Sequence, residues 1–169
     1  GVVMGTLGGC QSARVQQPVV NSLRAAQGDE TATRMEFWHT LNDRPLASND
    51  DAFHALLLYF DGKDTAADYA GRLQTLKARH WISDAFNQPG DRAVERGTVA
   101  QALVTALKFK GGLTMRLLGP SPRYALRELQ YRSLLPDSSV NQIFSGGELV
   151  GVSGRVEDCR TGKPAYVPA

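Results

Sequence analysis

Few side chains in this sequence have the types and the spacing that metal binding requires. The three histidines are scattered, and His54 follows Asp50 by one helical turn. Such a pair on one face of a helix can supply two ligands to a metal ion, but the pattern contains no third ligand. An ordinary polar pair on a helix surface explains the spacing better. The sequence therefore predicts no metal site.

Two glycine-containing stretches lack the residues that phosphate binding or nucleophilic catalysis needs. Residues 5–9 (Gly-Thr-Leu-Gly-Gly) are not followed by the lysine of a phosphate-binding loop. Ser145 precedes two glycines, but a nucleophile elbow also needs a glycine two residues before the serine. We therefore expect neither enzymatic activity nor a cofactor, and a small enzyme with an unrecognised site is the least favoured alternative.

The composition is that of one globular domain. The chain has 169 residues, of which 42% are hydrophobic, and 19 basic and 17 acidic residues are well mixed to give a net charge of +2. This balance gives no basic field that would favour a nucleic acid partner. The sequence contains no run of about 18 apolar residues, which is the length that a membrane-spanning helix needs.

Amphipathic helices are expected to position the polar residues. One helix would follow a cap at Ser48 or Asn49 and end at Gly62, and a second would be capped by Asp64 or Thr65. A third would run from about residue 93 to a break at residues 111–112.

The openings of the first and third of these helices recur in a further predicted helix, which starts near Glu148. Asp51, Thr98 and Glu148 occupy equivalent places, at intervals of 47 and 50 residues. A repeat of that length usually marks a unit that must pack against its neighbours to bury its apolar face. We predict a mainly α fold with little β: a bundle of helix-loop-helix repeats, with one half repeat that has only its second helix and two fuller repeats. The expected segments are an apolar N-terminal segment (1–10), a polar linker or arm (11–33), the repeat domain (34–158) and a C-terminal tail (159–169).

The residues before the linker resemble a bacterial lipobox. In Leu7-Gly8-Gly9-Cys10, small residues precede a cysteine that would receive a diacylglycerol after cleavage. The resemblance implies lipidation of Cys10, residues 11–33 as a tether, and an extracytoplasmic place in the bacterial cell envelope. Two alternatives remain open: a disulfide between Cys10 and Cys159, and two free thiols.

The repeats resemble the S-layer homology family. Each fuller repeat combines a first helix that ends in two apolar residues, a polar loop containing asparagine, and a second helix opened by a short polar motif. The two apolar residues are Trp81-Ile82 in one repeat and Leu134-Leu135 in the other, and the loop asparagines are Asn87 and Asn141. The resemblance covers residues 46–158. It implies a pseudo-three-fold bundle that binds a cell-wall polysaccharide. In the family's Thr-Arg-Ala-Glu motif, Arg96 matches the arginine, Thr98 stands where glutamate is expected, and Glu148 matches the glutamate of the next copy. The resemblance thus implies grooves that contain Arg96, Thr98 and Glu148.

The expected function is that of a non-enzymatic structural or interaction protein of the cell envelope. Its helical domain would bind a cell-wall polymer or an envelope protein, with a lipid anchor to the membrane. The alternative is an accessory subunit of a larger extracytoplasmic assembly, such as a filament, secretion or motor complex, whose N-terminal arm binds the next subunit. Membership of an oligomer or complex is expected in both cases.

Overall fold

Six α-helices and no β-strand make up the part of the chain that the computed structural model describes, residues 13–20, 30–111, 115, 117 and 119–163. The prediction of a mainly α fold with little β is confirmed. Pairing between extended segments is limited to isolated bridges within this part. The helices are α1 (Glu30–Asn42), α2 (Asn49–Asp61), α3 (Tyr69–Ala78), α4 (Arg96–Ala106), α5 (Pro122–Tyr131) and α6 (Gly146–Arg160).

The caps of α2 and α6 follow from the local sequence. Ser48 and Asp51 form a reciprocal capping box at the start of α2, and Gly62 ends the helix with a φ of +72°. Ser145 and Glu148 form the same capping box at the start of α6. The predicted bounds of α2 are confirmed.

Two other helices begin later than predicted. The N-cap of α3 is Asp68, because the Asp64 carboxylate accepts hydrogen bonds from the Ala66 backbone N–H and from Arg72 instead of capping the helix. The fourth helix begins at Arg96 rather than near residue 93. The preceding residues are extended, since their backbone groups bond to other segments of the chain.

The six helices form three helix-loop-helix units, α1–α2, α3–α4 and α5–α6. The first unit, which was expected to contain its second helix alone, also has a first helix in α1. The first helix of each unit packs chiefly on the second helix of another unit: α3 on α2, α5 on α4, and α1 on α6. Because α1 packs on α6, the first and last helices of the described part close the arrangement.

A cyclic set of three backbone hydrogen bonds joins the units. The Ala47 N–H donates to the Phe144 carbonyl at 2.9 Å, the Phe144 N–H to the Val94 carbonyl at 3.0 Å, and the Val94 N–H to the Ala47 carbonyl at 2.9 Å. All three residues are fully buried. Their intervals of 47 and 50 residues equal those between the three helix openings in the sequence. The sequence repeat therefore corresponds to a pseudo-three-fold arrangement.

Part of the segment predicted as a linker packs against the domain. Val19 and Val20 are buried in the same apolar core as Leu56, Leu103 and Leu129. The Ala93 N–H donates to the carbonyl of residue 13 at 2.9 Å. Helix α1 also begins within residues 11–33. In the described residues, no helix is long and apolar enough to cross a membrane.

Candidate ligand-binding groove

A groove of about 520 Å³ lies between the start of α4 and the third unit. We call it the Arg96 groove. Helix α4 contributes Arg96 to the lining of the groove, and α6 contributes glycine and charged residues along one of its faces. The end of α5 and the loop after it supply the opposite side. Its lining includes Arg96, Leu135, Pro136, Asp137, Phe144, Glu148, Gly151 and Arg155.

Arg96 is buried, although it is charged. Its side chain is 2% exposed, and its guanidinium carbon lies 5.1 Å from the centre of the Phe144 ring. Nη2 donates to the carboxylate of Glu148, which belongs to the next unit. Nε is buried and has no hydrogen-bond partner. A buried donor without an acceptor is unfavourable, and such a group in a groove is a candidate for ligand binding.

Glu148 has two roles at this place. One carboxylate oxygen accepts the Ser145 backbone N–H at 2.9 Å and completes the cap of α6, whereas the other accepts the Arg96 hydrogen bond. Burial raises the pKa of Glu148. The hydrogen bond from the Ser145 backbone N–H and the charge of Arg96 lower the pKa by more than burial raises it, so the net shift is downward. Glu148 therefore stays ionised and holds the Arg96 guanidinium in place.

A second arginine in the groove was not found by sequence analysis. Arg155 follows Glu148 by seven residues on α6, so both lie on one face of the helix. Its Nε donates to the Leu134 carbonyl at 2.8 Å. Burial and the charge of Arg96 lower its pKa, and Glu148 only partly opposes this shift. The seven-residue spacing from Glu148 was the one available signal in the sequence.

The other predicted groove residue, Thr98, does not reach the Arg96 groove. It occupies in α4 the position that Glu148 occupies in α6, and its backbone N–H donates to the Glu95 carbonyl at 3.1 Å. The structure thus brings together Arg96 and Glu148 but not Thr98. In the two other units, the position of Arg96 is taken by Asn49 and Gly146.

The N-terminal segment contributes to the corresponding place at α2. Asp51 is the counterpart of Glu148, and its Oδ1 accepts the Val20 backbone N–H at 3.0 Å. A backbone N–H therefore supplies the hydrogen bond that Arg96 supplies in its groove. Gly146, the counterpart of Arg96 there, has no side chain with which to do so.

The pair of His54 and Asp50 belongs to a compact buried cluster. Arg72 lies at its centre, with Nη1 2.7 Å from Asp50 and Nε bonded to Asp64. His54 Nδ1 lies 2.5 Å from the Asp64 carboxylate. Burial raises the pKa of Asp64, but hydrogen bonds from His54 and Arg72 outweigh it and lower the pKa to about 2. No potential metal site occurs in the described part of the chain. We assign the cluster a structural role.

The two cysteines give no site in the described structure. Cys159 is exposed near the end of α6 and forms no disulfide with a described residue. Cys10 and the rest of the lipobox-like segment lie outside the described residues. Lipidation, a disulfide and free thiols therefore all remain predictions.

Comparisons with family models, with curated proteins and with solved structures found no match to this chain.

Proposed function

We propose that this protein is a non-enzymatic binding module of the bacterial cell envelope whose Arg96 groove holds an acidic group of a cell-wall polymer. The observation that carries this proposal is that Arg96, a residue that lines the groove, has a buried Nε without a hydrogen-bond partner. An oxyanion is the ligand that best satisfies a guanidinium N–H, because the hydrogen bond is then charge-assisted.

The rest of the groove suits a polymer segment with both apolar and polar faces. The apolar residues Leu135, Pro136 and Phe144 line the groove, with Pro136 exposed, and the absent side chain of Gly151 leaves space above α6. Binding sites commonly combine such apolar surface with a few convergent polar groups. The C–H face of a sugar ring would pack on the apolar surface, and an acidic substituent of the ring would bind the polar groups.

The cellular setting of this proposal is extracytoplasmic. Lipidation of Cys10 would hold the domain close to a membrane surface, because only residues 11–12 separate Cys10 from the packed segment that begins at residue 13. Intact-mass spectrometry of the native protein tests this part. A diacyl adduct on a chain that starts at Cys10 would support it, whereas an unmodified chain that retains residues 1–9 would contradict it.

Substitution of Arg96 by lysine tests the groove. Lysine keeps the positive charge beside Glu148 but lacks the Nε donor in its planar geometry. We expect retention on purified cell walls to fall about tenfold or more, as for loss of one charge-assisted hydrogen bond. The matched control is Arg127→Lys, because Arg127 is exposed on α5 and outside the groove.

Retention should also be measured on cell walls from which the attached acidic polysaccharide has been removed. Wild-type protein is expected to bind the intact walls and not the stripped ones. Equal retention of wild type and Arg96→Lys on intact walls would exclude Arg96 as a ligand residue. Equal retention of wild type on both kinds of wall would exclude the polysaccharide as the ligand.

Substitution of Gly151 by leucine should block the groove without unfolding the helix. A Cβ at Gly151 would meet only Arg155 Nη1, at 3.5 Å, so leucine fits on the backbone and extends into the space that the polymer would occupy. Leucine also favours helix more than glycine does. We expect loss of wall binding with an unchanged or higher melting temperature.

The control for this substitution is Gly154→Leu. Gly154 lies three residues later on the exposed side of α6, and a Cβ there meets nothing within 4 Å. This variant should bind walls like wild type. Full wall binding by Gly151→Leu would show that the ligand lies elsewhere.

A further inference from the structure

We infer that Arg155 selects for charge in the Arg96 groove and contacts the oxyanion of the bound polymer directly. Arg96 mainly orients this oxyanion. This inference rests on the proposed function. The acid group would be a carboxylate or a phosphodiester, which offer the same negatively charged oxygen atoms.

The charge of Arg96 is already balanced by a protein group. Its Nη2 bonds to the Glu148 carboxylate, and this carboxylate also closes the cap of α6, so it is held in place from two sides. A ligand that approaches Arg96 therefore meets a neutral pair. What Arg96 still offers is the directional N–H of Nε.

Arg155 has no such balance. It is partly buried and forms no salt bridge with a described carboxylate; its Nε bonds to a neutral carbonyl, that of Leu134. Removing a cation from water without an anionic partner is costly, and a bound oxyanion would recover part of that cost. Asp137, the other acidic residue of the groove, is exposed, so water and salt weaken its effect.

Arg155 reaches the space beside Gly151 in the groove. The point where a Cβ of Gly151 would stand lies 3.5 Å from Arg155 Nη1, so this nitrogen lies beside the space left by the glycine. Nη1 and Nη2 have no hydrogen-bond partner among the described residues. The two terminal nitrogens can therefore donate to an oxyanion in the groove.

The experiment measures how binding depends on salt for Arg155→Gln, with Arg123→Gln as control. Both substitutions remove one positive charge, but Arg123 is exposed on α5 outside the groove. The probes are oligogalacturonate, which carries carboxylates, and poly(glycerol phosphate), which carries phosphodiesters. Calorimetry would be run from about 50 to about 500 mM salt, a range over which screening lengths fall severalfold.

Arg155→Gln should bind the preferred probe about 10- to 100-fold more weakly at low salt, with an affinity that hardly changes as salt rises. Arg96→Lys should bind weakly but keep the salt dependence of wild type, and Arg123→Gln should behave like wild type. Glu148→Gln, which can still form the capping box, should bind more tightly at low salt and show a steeper salt dependence. The probe that wild type prefers identifies the acid group.

Two outcomes would overturn the inference in different ways. If wild type binds a probe and Arg155→Gln keeps both its affinity and its salt dependence, Arg155 is not the charge-selecting residue and the proposed function stands. If wild type binds neither probe nor intact cell walls, the proposed function is wrong and this inference falls with it. Melting temperatures of all variants separate these results from a loss of folded protein.

Discussion

Replacing Gly146 by alanine is expected to lower the free energy of unfolding by about 3 kcal/mol or more. A Cβ at this position would lie 1.7 Å from the Leu41 carbonyl oxygen and 2.8 Å from its carbonyl carbon. These are backbone atoms at the end of α1, so no side-chain rotation relieves the overlap. Helix α1 would have to withdraw from α6, which would expose Phe37 and Leu41.

Urea unfolding measures this loss of free energy. The melting temperature should fall by roughly 6–12 °C for a domain of this size. The control is Gly154→Ala on the same helix, where a Cβ meets no atom within 4 Å. Because alanine favours helix more than glycine, the control should gain up to about 1 kcal/mol. A Gly146→Ala protein within about 0.5 kcal/mol of wild type would mean that α1 does not pack on α6 as described.

This contact also explains why position 146 is a glycine. Gly146 stands where the S-layer homology motif would have its arginine, and the sequence gives no reason for the difference. In the structure, the turn after α1 runs directly over Gly146, and the Gly146 N–H donates to the Arg44 carbonyl at 2.9 Å. A side chain is excluded there. The cause lies about 100 residues away in the sequence, so no local pattern could reveal it.

Features that depend on neighbouring residues were predicted well. The cap at Ser48, the acidic first turn and the stop at Gly62 are all local signals, and together they gave the bounds of α2. The interval between helix openings was also visible, because equivalent residues must recur at the same spacing.

Features that depend on distant backbone pairing were missed. Val94 lies in a stretch with helical periodicity, yet it is extended because its N–H and carbonyl both belong to the cyclic set of hydrogen bonds. Likewise, Asp64 resembles a helix cap in the sequence but is engaged with Arg72 and His54. Long-range partners outweighed local propensity in both cases.

The candidate groove was predicted in part. Arg96 and Glu148 were named as separate members of a motif, and the structure shows them as partners across two units. Thr98 belongs to the same sequence pattern but to a different place in the fold. Arg155 was missed, because a single arginine late in a helix resembles ordinary surface until its burial and its surroundings are known.

Replacing Arg72 by methionine is expected to cost about 3–5 kcal/mol of stability at neutral pH, as for removal of one partner from a buried ion pair. The Arg72 side chain is 1% exposed and joins Asp50 of α2 to Asp64 of the following loop. Methionine fills much of the volume but removes the cation that both carboxylates share. The matched control is Arg79→Met, since Arg79 pairs with Asp61 at the surface and should lose no more than about 1 kcal/mol.

The dependence on pH separates this electrostatic effect from a packing defect. The pKa of Asp64 is about 2 in the folded chain against an ordinary 3.8, so ionised Asp64 contributes stability above pH 3.8 and loses it as the pH falls towards 2. In Arg72→Met the pKa of Asp64 should rise towards its ordinary value, because one of its hydrogen-bond donors is gone. The difference in unfolding free energy between wild type and variant should therefore shrink on acidification from pH 4 to pH 2. A difference that stays constant over this range would attribute the loss to packing and remove the electrostatic role of Arg72.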